Sequence, residues 1–188
     1  KKNSYKEDAH KGIDFFQQFA QDNSKWVLVG SIAVSLSSGK LANRSFMINS
    51  DGDIIARYDK IHLFDVTLEN GEQYFESHNY QAGERVVAAK TKWGNFGLTI
   101  CYDLRFPEFY RKFYKSDISV FSIPSAFTKT TGQKHWHTLI QARAIETGSY
   151  VFAPAQTGNH PGGRKTYGHS LIVDPNGAIV KDAGEEVG

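Results

Sequence analysis

Cysteine is nearly absent from this chain: Cys101 is the only one. No internal disulfide can form, which excludes the cross-linked scaffolds of small secreted domains and points to a reducing compartment, the cytoplasm by default. Charge of one sign is lacking as well. Lysine and arginine number 22 against 20 acidic residues, for a formal net charge of +2. These charges are scattered along the chain, so the basic footprint of a nucleic-acid binder is missing. Long apolar runs are missing too. The longest, "WVLVGSIAVSL" at residues 26–36, falls short of the roughly 20 residues a membrane helix needs. No secretory signal is visible, since the opening "KKNSYKEDAH" carries charge with no apolar core behind it. Methionine occurs once, at Met47, so Lys1 is not a natural translation start, and the final "KDAGEEVG" ends without a cap or a closing strand. The expectation is a piece of a longer chain, incomplete at both ends. No membrane and no nucleic acid are expected as partners.

What is present is the composition of an ordinary globular domain, 40% hydrophobic and 22% charged over 188 residues, with no linker to divide residues 1–188. Ile13, Phe16, Phe19 and Ala20 fall at helical spacing, which predicts an amphipathic helix over residues 5–22. "KWVLVGSIAVS" reads as a buried strand. "RSFMINSDGDIIARYDK" reads as a hairpin, with Asp51 and Gly52 taking the positive φ angles of a tight turn. "VVAAKTKWGNFGLTICYD" is a second hairpin around Trp93, Gly94 and Asn95. Residues 106–115 form a predicted helix with Pro107 in its first turn, where a missing N–H costs nothing. "DISVFSIPS" is a strand, "GQKHWHTLIQARAIETGS" a helix ending at Gly148, and "YVFAPAQTG" a strand. "HSLIVDPNGAIVKD" is a third hairpin, turned by Pro175, Asn176 and Gly177. Alternating strands and helices with interspersed hairpins predict an α/β layered protein with mixed sheets. The first and third hairpins share a loose pattern, which hints at two similar sheets.

Chemistry centres on "FGLTICYDLRFPEFYRKF". A thiolate is a strong nucleophile, and a strand end followed by a helix start favours it through outward-facing N–H groups. The N–H of Tyr102 is the first candidate to stabilise an oxyanion on an attacked carbonyl. A free cysteine is also among the most buried residue types, so local pattern leaves both readings of Cys101 open. Lys60, in "ARYDKIHLFD", stands at the tip of a strand, where a lysine can stabilise developing negative charge; a solvated surface lysine is the alternative. Glu76, in "EQYFESHNY", is placed to hold such a lysine charged and aimed, or is one more surface acid.

His135 and His137 lie two apart on a helix and point away from each other, and no His-Glu-x-x-His or cysteine cluster occurs. No metal is expected. His169 offers a cysteine–histidine pairing with Cys101 without a local signature to support it. Arg143 and Glu146 are spaced for a structural ion pair, and "HPGGRKTYG" is a polar loop able to cover a pocket.

The segments "RYDKIHLFD", "YFESHNYQAGE", "GLTICYDLRFPEFYR", "IPSAFTKTTGQKHWHTLIQARAIETGSYVFAPAQTG" and "GHSLIVDPNG", in that order, resemble the nitrilase, or carbon–nitrogen hydrolase, superfamily, and its Nit-type amidase branch most of all. The resemblance implies a four-layer αββα sandwich that pairs into a homodimer through outer helices and needs no cofactor. It assigns Cys101 as nucleophile, Lys60 as the lysine that stabilises the tetrahedral intermediate, and Glu76 as the glutamate that positions it. The implied reaction is hydrolysis of a terminal carboxamide through a cysteine thioester, with release of ammonia; a nitrile would use the same nucleophile. Arg105, Phe127, Thr128, Thr130 and Thr131 fall in segments that line the pocket in relatives, which suits an amide bearing a carboxylate. Arg105 is alternatively tied to Glu108 on its own helix turn.

The family's general-base glutamate sits in a strand-end loop ahead of the first long helix. This chain opens at that helix, with Glu7 as its nearest acid. The base and the strands that complete the sheet are therefore expected outside these residues. The competing expectation is a catalytically silent binding or assembly module.

Overall fold

The first helix is set by a histidine. Gly12 N donates to His10 Nδ1 at 3.2 Å, so α1 (Lys11–Asp22) starts after His10 and not at residue 5, and residues Glu7–Ala9 form a separate 3-10 turn. Ile13 and Ala20 are buried and Phe16 packs beside them, as the helical spacing predicts. Phe19 departs from that expectation. It lies six residues beyond Ile13, about 240° around the helix, and is exposed with its ring stacked on Phe15.

These elements belong to a computed structural model that describes residues 4–68 and 71–187, and its residues cluster into two compact units, Lys1–Val87 and Ala88–Gly188. In the first unit, β1 (Val27–Ser35), β2 (Leu41–Ile48) and β3 (Ile54–Asp59) form an antiparallel sheet in that order. Val29, Val34, Phe46 and Ile48 join Ile13 and Ala20 in its core. The β2–β3 turn takes positive φ only at Gly52, at +86°. Asp51 is spared because Asn49 Oδ1 accepts from the N–H groups of Asp51 and Asp53 at 2.9 and 2.8 Å, a side-chain turn that shapes the loop. A short hairpin of β4 (Asp65–Thr67) and β5 (Gln73–Phe75) follows.

The second unit is built on a six-stranded sheet of order β13-β12-β9-β8-β7-β6. Its strands are β6 (Val87–Thr91, which begins at the unit boundary), β7 (Gly94–Leu98), β8 (Ile118–Ser122), β9 (Tyr150–Ala153), β12 (Leu171–Val173) and β13 (Ile179–Asp182). β7, β8 and β9 are parallel, while β12 runs antiparallel to β9 and β13. Parallel neighbours need crossovers, and the helices supply them: α2 (Pro107–Arg111) between β7 and β8, and α3 (Lys129–Thr147) between β8 and β9. This is the mixed α/β organisation that the alternation predicts.

Three boundaries differ from the sequence reading. Residues Cys101–Arg105 form a 3-10 turn, and α2 is five residues long, with Pro107 at its start as expected. α3 begins at Lys129, ahead of the expected glycine, because the Thr128 hydroxyl caps the Thr131 N–H; it ends as expected at Gly148, whose φ is +61°. The glycine-rich loop of residues 160–168 contains the turn and second strand of a hairpin, β10 (Thr157–Asn159) against β11 (Lys165–Tyr167), with Thr166 and Tyr167 buried.

Candidate active site

Lys60 and Glu76 meet. Lys60 follows the last residue of β3, and Glu76 opens a 3-10 turn just after β5. Lys60 Nζ lies 2.5 Å from Glu76 Oε2, with the lysine side chain 4% and the glutamate 14% exposed. Two further donors fix the carboxylate: the Phe64 N–H reaches Oε2 at 2.7 Å and Asn43 Nδ2 reaches Oε1 at 3.1 Å. Asn43 also accepts the Lys60 N–H on its carbonyl at 2.9 Å, so one strand residue orients both partners. The backbone on the far side of Lys60 is pinned by Gly83, whose N–H donates to the Lys60 carbonyl at 2.9 Å. A Cβ on Gly83 would meet the Asp59 carbonyl oxygen at 2.2 Å, so only glycine allows this approach. The Glu76 charge acts on its surroundings: burial first and Glu76 second push the Tyr80 phenol up. Asn43 was missed in the sequence, although an asparagine inside an apolar strand is itself unusual.

Cys101 belongs to the second unit, where it is partly buried and carries a free thiol. Its φ is +49°, a left-handed conformation that a non-glycine residue adopts at a cost of about 1–2 kcal/mol. Two contacts hold it there. The Cys101 N–H donates to the Pro124 carbonyl at 3.0 Å, and the Ile100 N–H donates to Asp103 Oδ2 at 2.9 Å. Asp103 is fully buried. The strand therefore breaks sharply at the cysteine, as expected, but into a 3-10 turn. Because its own N–H is spent on Pro124, Cys101 leaves oxyanion binding to other donors.

Arg105 closes the same turn. Its guanidinium lies 5.3 Å from the Phe127 ring centroid and 6.0 Å from that of Tyr102, and both terminal nitrogens stand 3.3 Å from His135 Nδ1. Glu108 is not its partner. Burial pulls the Arg105 guanidinium down from its ordinary value, with Tyr102 and Cys101 opposing. Phe127 and Thr128 are buried, and the Thr128 and Thr131 hydroxyls share a hydrogen bond at 2.8 Å within the α3 cap. Thr130 is exposed on the first turn of α3. Arg105, Phe127 and His135 thus come together, while Thr128 and Thr131 serve the cap and Thr130 faces solvent.

Other candidates have different partners. Glu7 accepts from Arg44 at 2.6 Å and from Arg57 at 2.5 Å, so its carboxylate is engaged by two guanidiniums. Arg143 binds Glu146 at 2.7 Å and the Leu104 carbonyl at 3.0 Å, the structural pair that the spacing predicts. His169 Nδ1 faces Asp182 at 3.0 Å, with its ring stacked on Tyr167. Cys101 is not among its partners, which removes the basis for a cysteine–histidine pair.

The lysine–glutamate pair and the cysteine at the strand end lie in segments that carry the sequence resemblance. The model of the carbon-nitrogen hydrolase family matches residues 6–187, and the chain belongs to that family. Among its relatives, a deaminated glutathione amidase of Synechocystis sp. is 46% identical over 93% of this chain and 65% of its own length. The omega-amidase NIT3 of Saccharomyces cerevisiae is 40% identical over 92% of this chain and 60% of its own. The chain thus spans somewhat less than two thirds of these curated relatives. Solved structures agree on the fold. The C. elegans NitFhit protein aligns with a TM-score of 0.87 at 39% identity, over 94% of this chain and 44% of its own. S. cerevisiae Nit3, described as a member of branch 10 of the nitrilase superfamily, aligns with a TM-score of 0.86 at 32% identity, over 98% of this chain and 65% of its own. The fold class is therefore the α/β sandwich of the nitrilase kind. No described helix is long and apolar enough to cross a membrane.

Proposed function

We propose that the chain is the core of a thiol-dependent amidase that hydrolyses the terminal carboxamide of a small, carboxylate-bearing substrate and releases ammonia. The observation that carries this reading is the buried Lys60–Glu76 pair, with its carboxylate fixed by Asn43 and by the Phe64 N–H. A pair that is merely structural is seldom more stable than apolar residues of the same volume, whereas a positioned ammonium has a use wherever an oxyanion forms. The amidase names of relatives at 40–46% identity support the same reaction class.

In this reading the Cys101 thiolate attacks the amide carbon. The carbonyl π electrons move to oxygen, and the family resemblance assigns stabilisation of the oxyanion to Lys60, with the Tyr102 N–H as the backbone candidate. Collapse expels the amide nitrogen, which takes a proton and leaves as ammonia, and a thioester remains. Water adds to the thioester, the C–S bond breaks, and the acid and the free thiol are regenerated. Proton transfer to the nitrogen and from the water calls for a general acid–base group, typically worth about 10²–10⁴ in rate. Family resemblance assigns this to a glutamate in a strand-end loop, a role that Glu7, bound to two arginines, does not fill. Arg105, half-shielded between aromatic rings, is the candidate for the substrate carboxylate, with Phe127 and the Thr128–Thr131 segment beside it. The protein works without a cofactor as a single carbon–nitrogen hydrolase domain, in a reducing compartment such as the cytoplasm, and pairs with a second copy.

The test is ammonia release from a panel of ω-carboxamide acids by the protein and by its Cys101→Ala variant. Turnover lost in a variant with an unchanged circular dichroism spectrum supports the reading. Turnover retained without the thiol overturns it.

A further inference from the structure

A second cluster of polar side chains lies outside this chemistry, entirely within the second unit. It comprises His137 on α3, His169 in the loop between β11 and β12, and Asp182 at the end of β13. His137 Nε2 stands 3.1 Å from Asp182 Oδ2, and His169 Nδ1 stands 3.0 Å from both Asp182 oxygens. One ligand atom from each of the three residues lies within 4.8 Å of the others. We infer that His137, His169 and Asp182 form a binding site for a divalent transition-metal ion, with zinc as the best match.

The donor set is the first argument. Two imidazole nitrogens and one carboxylate oxygen suit zinc, which binds them at about 2.0–2.2 Å and accepts three protein ligands with an open fourth position. Tetrahedral bonds of that length place donors about 3.3 Å apart. The two histidine–aspartate distances already meet this spacing, and only the gap between the two rings has to shorten. The rings meet at 71° with centroids 4.9 Å apart, so both edges converge on the carboxylate without stacking on each other.

Preorganisation is the second argument. The His169 backbone is held at φ +56°, unusual for a non-glycine residue, by its N–H on the Gly184 carbonyl at 2.7 Å and its carbonyl on Trp136 Nε1 at 2.8 Å. Its ring is stacked on Tyr167 at 4.3 Å. The Gly184 N–H donates to Asp182 Oδ1 at 2.8 Å and sets the plane of the carboxylate. An outer partner is also in place. When Nδ1 of His169 binds an ion, its ring proton resides on Nε2, and Glu185 Oε1 stands 4.0 Å from that atom, its other oxygen held by Lys129 at 2.9 Å. Carboxylates commonly orient metal-bound imidazoles in this way. All three ligands are partly exposed, which leaves a path for the ion. Bound there, it would clamp α3 to the β12–β13 edge of the sheet.

No local motif signals this site, because His137, His169 and Asp182 come from three separate segments of the chain. The probe is zinc chloride, titrated calorimetrically into the full chain carrying Cys101→Ser, which removes the thiol as a rival ligand. One ion per chain is expected, with affinity at least tenfold weaker in His137→Ala and in Asp182→Asn. Ring-nitrogen NMR of the same Cys101→Ser chain is independent of whether those variants fold: zinc should shift Nε2 of His137 and Nδ1 of His169. Unchanged affinity in both folded variants, shifts confined to other histidines, or no saturable uptake below about 1 mM zinc would each overturn the site.

Discussion

Lys60 and Glu76, 16 residues apart in the chain, stand 2.5 Å apart at one end of the first sheet, and both are almost withdrawn from water. The partners are unequally supported. Glu76 keeps a backbone N–H and an asparagine amide if the lysine is removed, whereas Lys60 is the more buried of the two. Removing one member of a buried pair costs about 3–5 kcal/mol. Glu76→Gln should therefore destabilise the protein more than Lys60→Gln, with both losing about 10²-fold or more in kcat. Urea denaturation beside steady-state ammonia assays checks both orders, and the double variant should be less unstable than the sum of the two.

Asn43→Ala should act through Glu76 and not through substrate. It removes the 3.1 Å hydrogen bond to Oε1 and leaves the Lys60–Glu76 contact in place. The expectation is a fall in kcat of about tenfold with KM little changed, and a stability loss of about 1 kcal/mol. Asn43→Asp, which sets a second carboxylate against Glu76, should be the worse of the two in both assays.

Gly83→Ala tests the backbone that carries the lysine. The added methyl group would meet the Asp59 carbonyl oxygen at 2.2 Å, and backbone cannot move aside as a flexible side chain does. A loss of about 1–3 kcal/mol is expected, with displacement of Lys60 and a fall in activity beyond what the fraction unfolded explains. Thermal melts and kinetics on the same samples separate the two effects.

Acid stability should depend on Asp65. Its carboxyl is held below the usual range mainly by the Ser77 side chain and N–H, the latter at 3.0 Å, against a small opposing effect of burial. A carboxylate depressed in the folded state contributes stability that is complete above its unfolded pKa of about 3.9 and is lost as pH falls through the lower folded value. Urea midpoints measured between about pH 5 and pH 2 should fall less steeply in Asp65→Asn than in the parent. Equal slopes would mean that the Ser77 contact contributes nothing in solution. The turn it steadies begins at Glu76, so a loss of activity should accompany the loss of stability.

Much of this protein is legible in its sequence because the signals are local. A run of alternating apolar residues writes β1, Gly52 and Gly177 write their turns, and Gly148 ends α3, each through φ angles or periods that neighbouring residues impose. Lys60, Glu76 and Cys101 are singled out only by the blocks that resemble the family, since local pattern leaves each of them a structural alternative. The start of α1 is not legible because a histidine, not one of the usual capping residues, supplies its N-cap. The exposure of Phe19 is not legible either, because one apolar residue off the stripe does not disturb the overall pattern.

What only the tertiary structure decided are relationships between segments. That Asn43 orients both Lys60 and Glu76, that Glu7 is occupied by Arg44 and Arg57, that Arg105 turns to His135 and not to Glu108, and that His137 and His169 share Asp182 all depend on strand register and chain crossing. Such contacts arise when the burial of apolar faces brings distant backbone together, and side chains then pair with whatever polar group lies within about 3 Å. A linear pattern fixes which residues face inward; it carries no term for which of them meet.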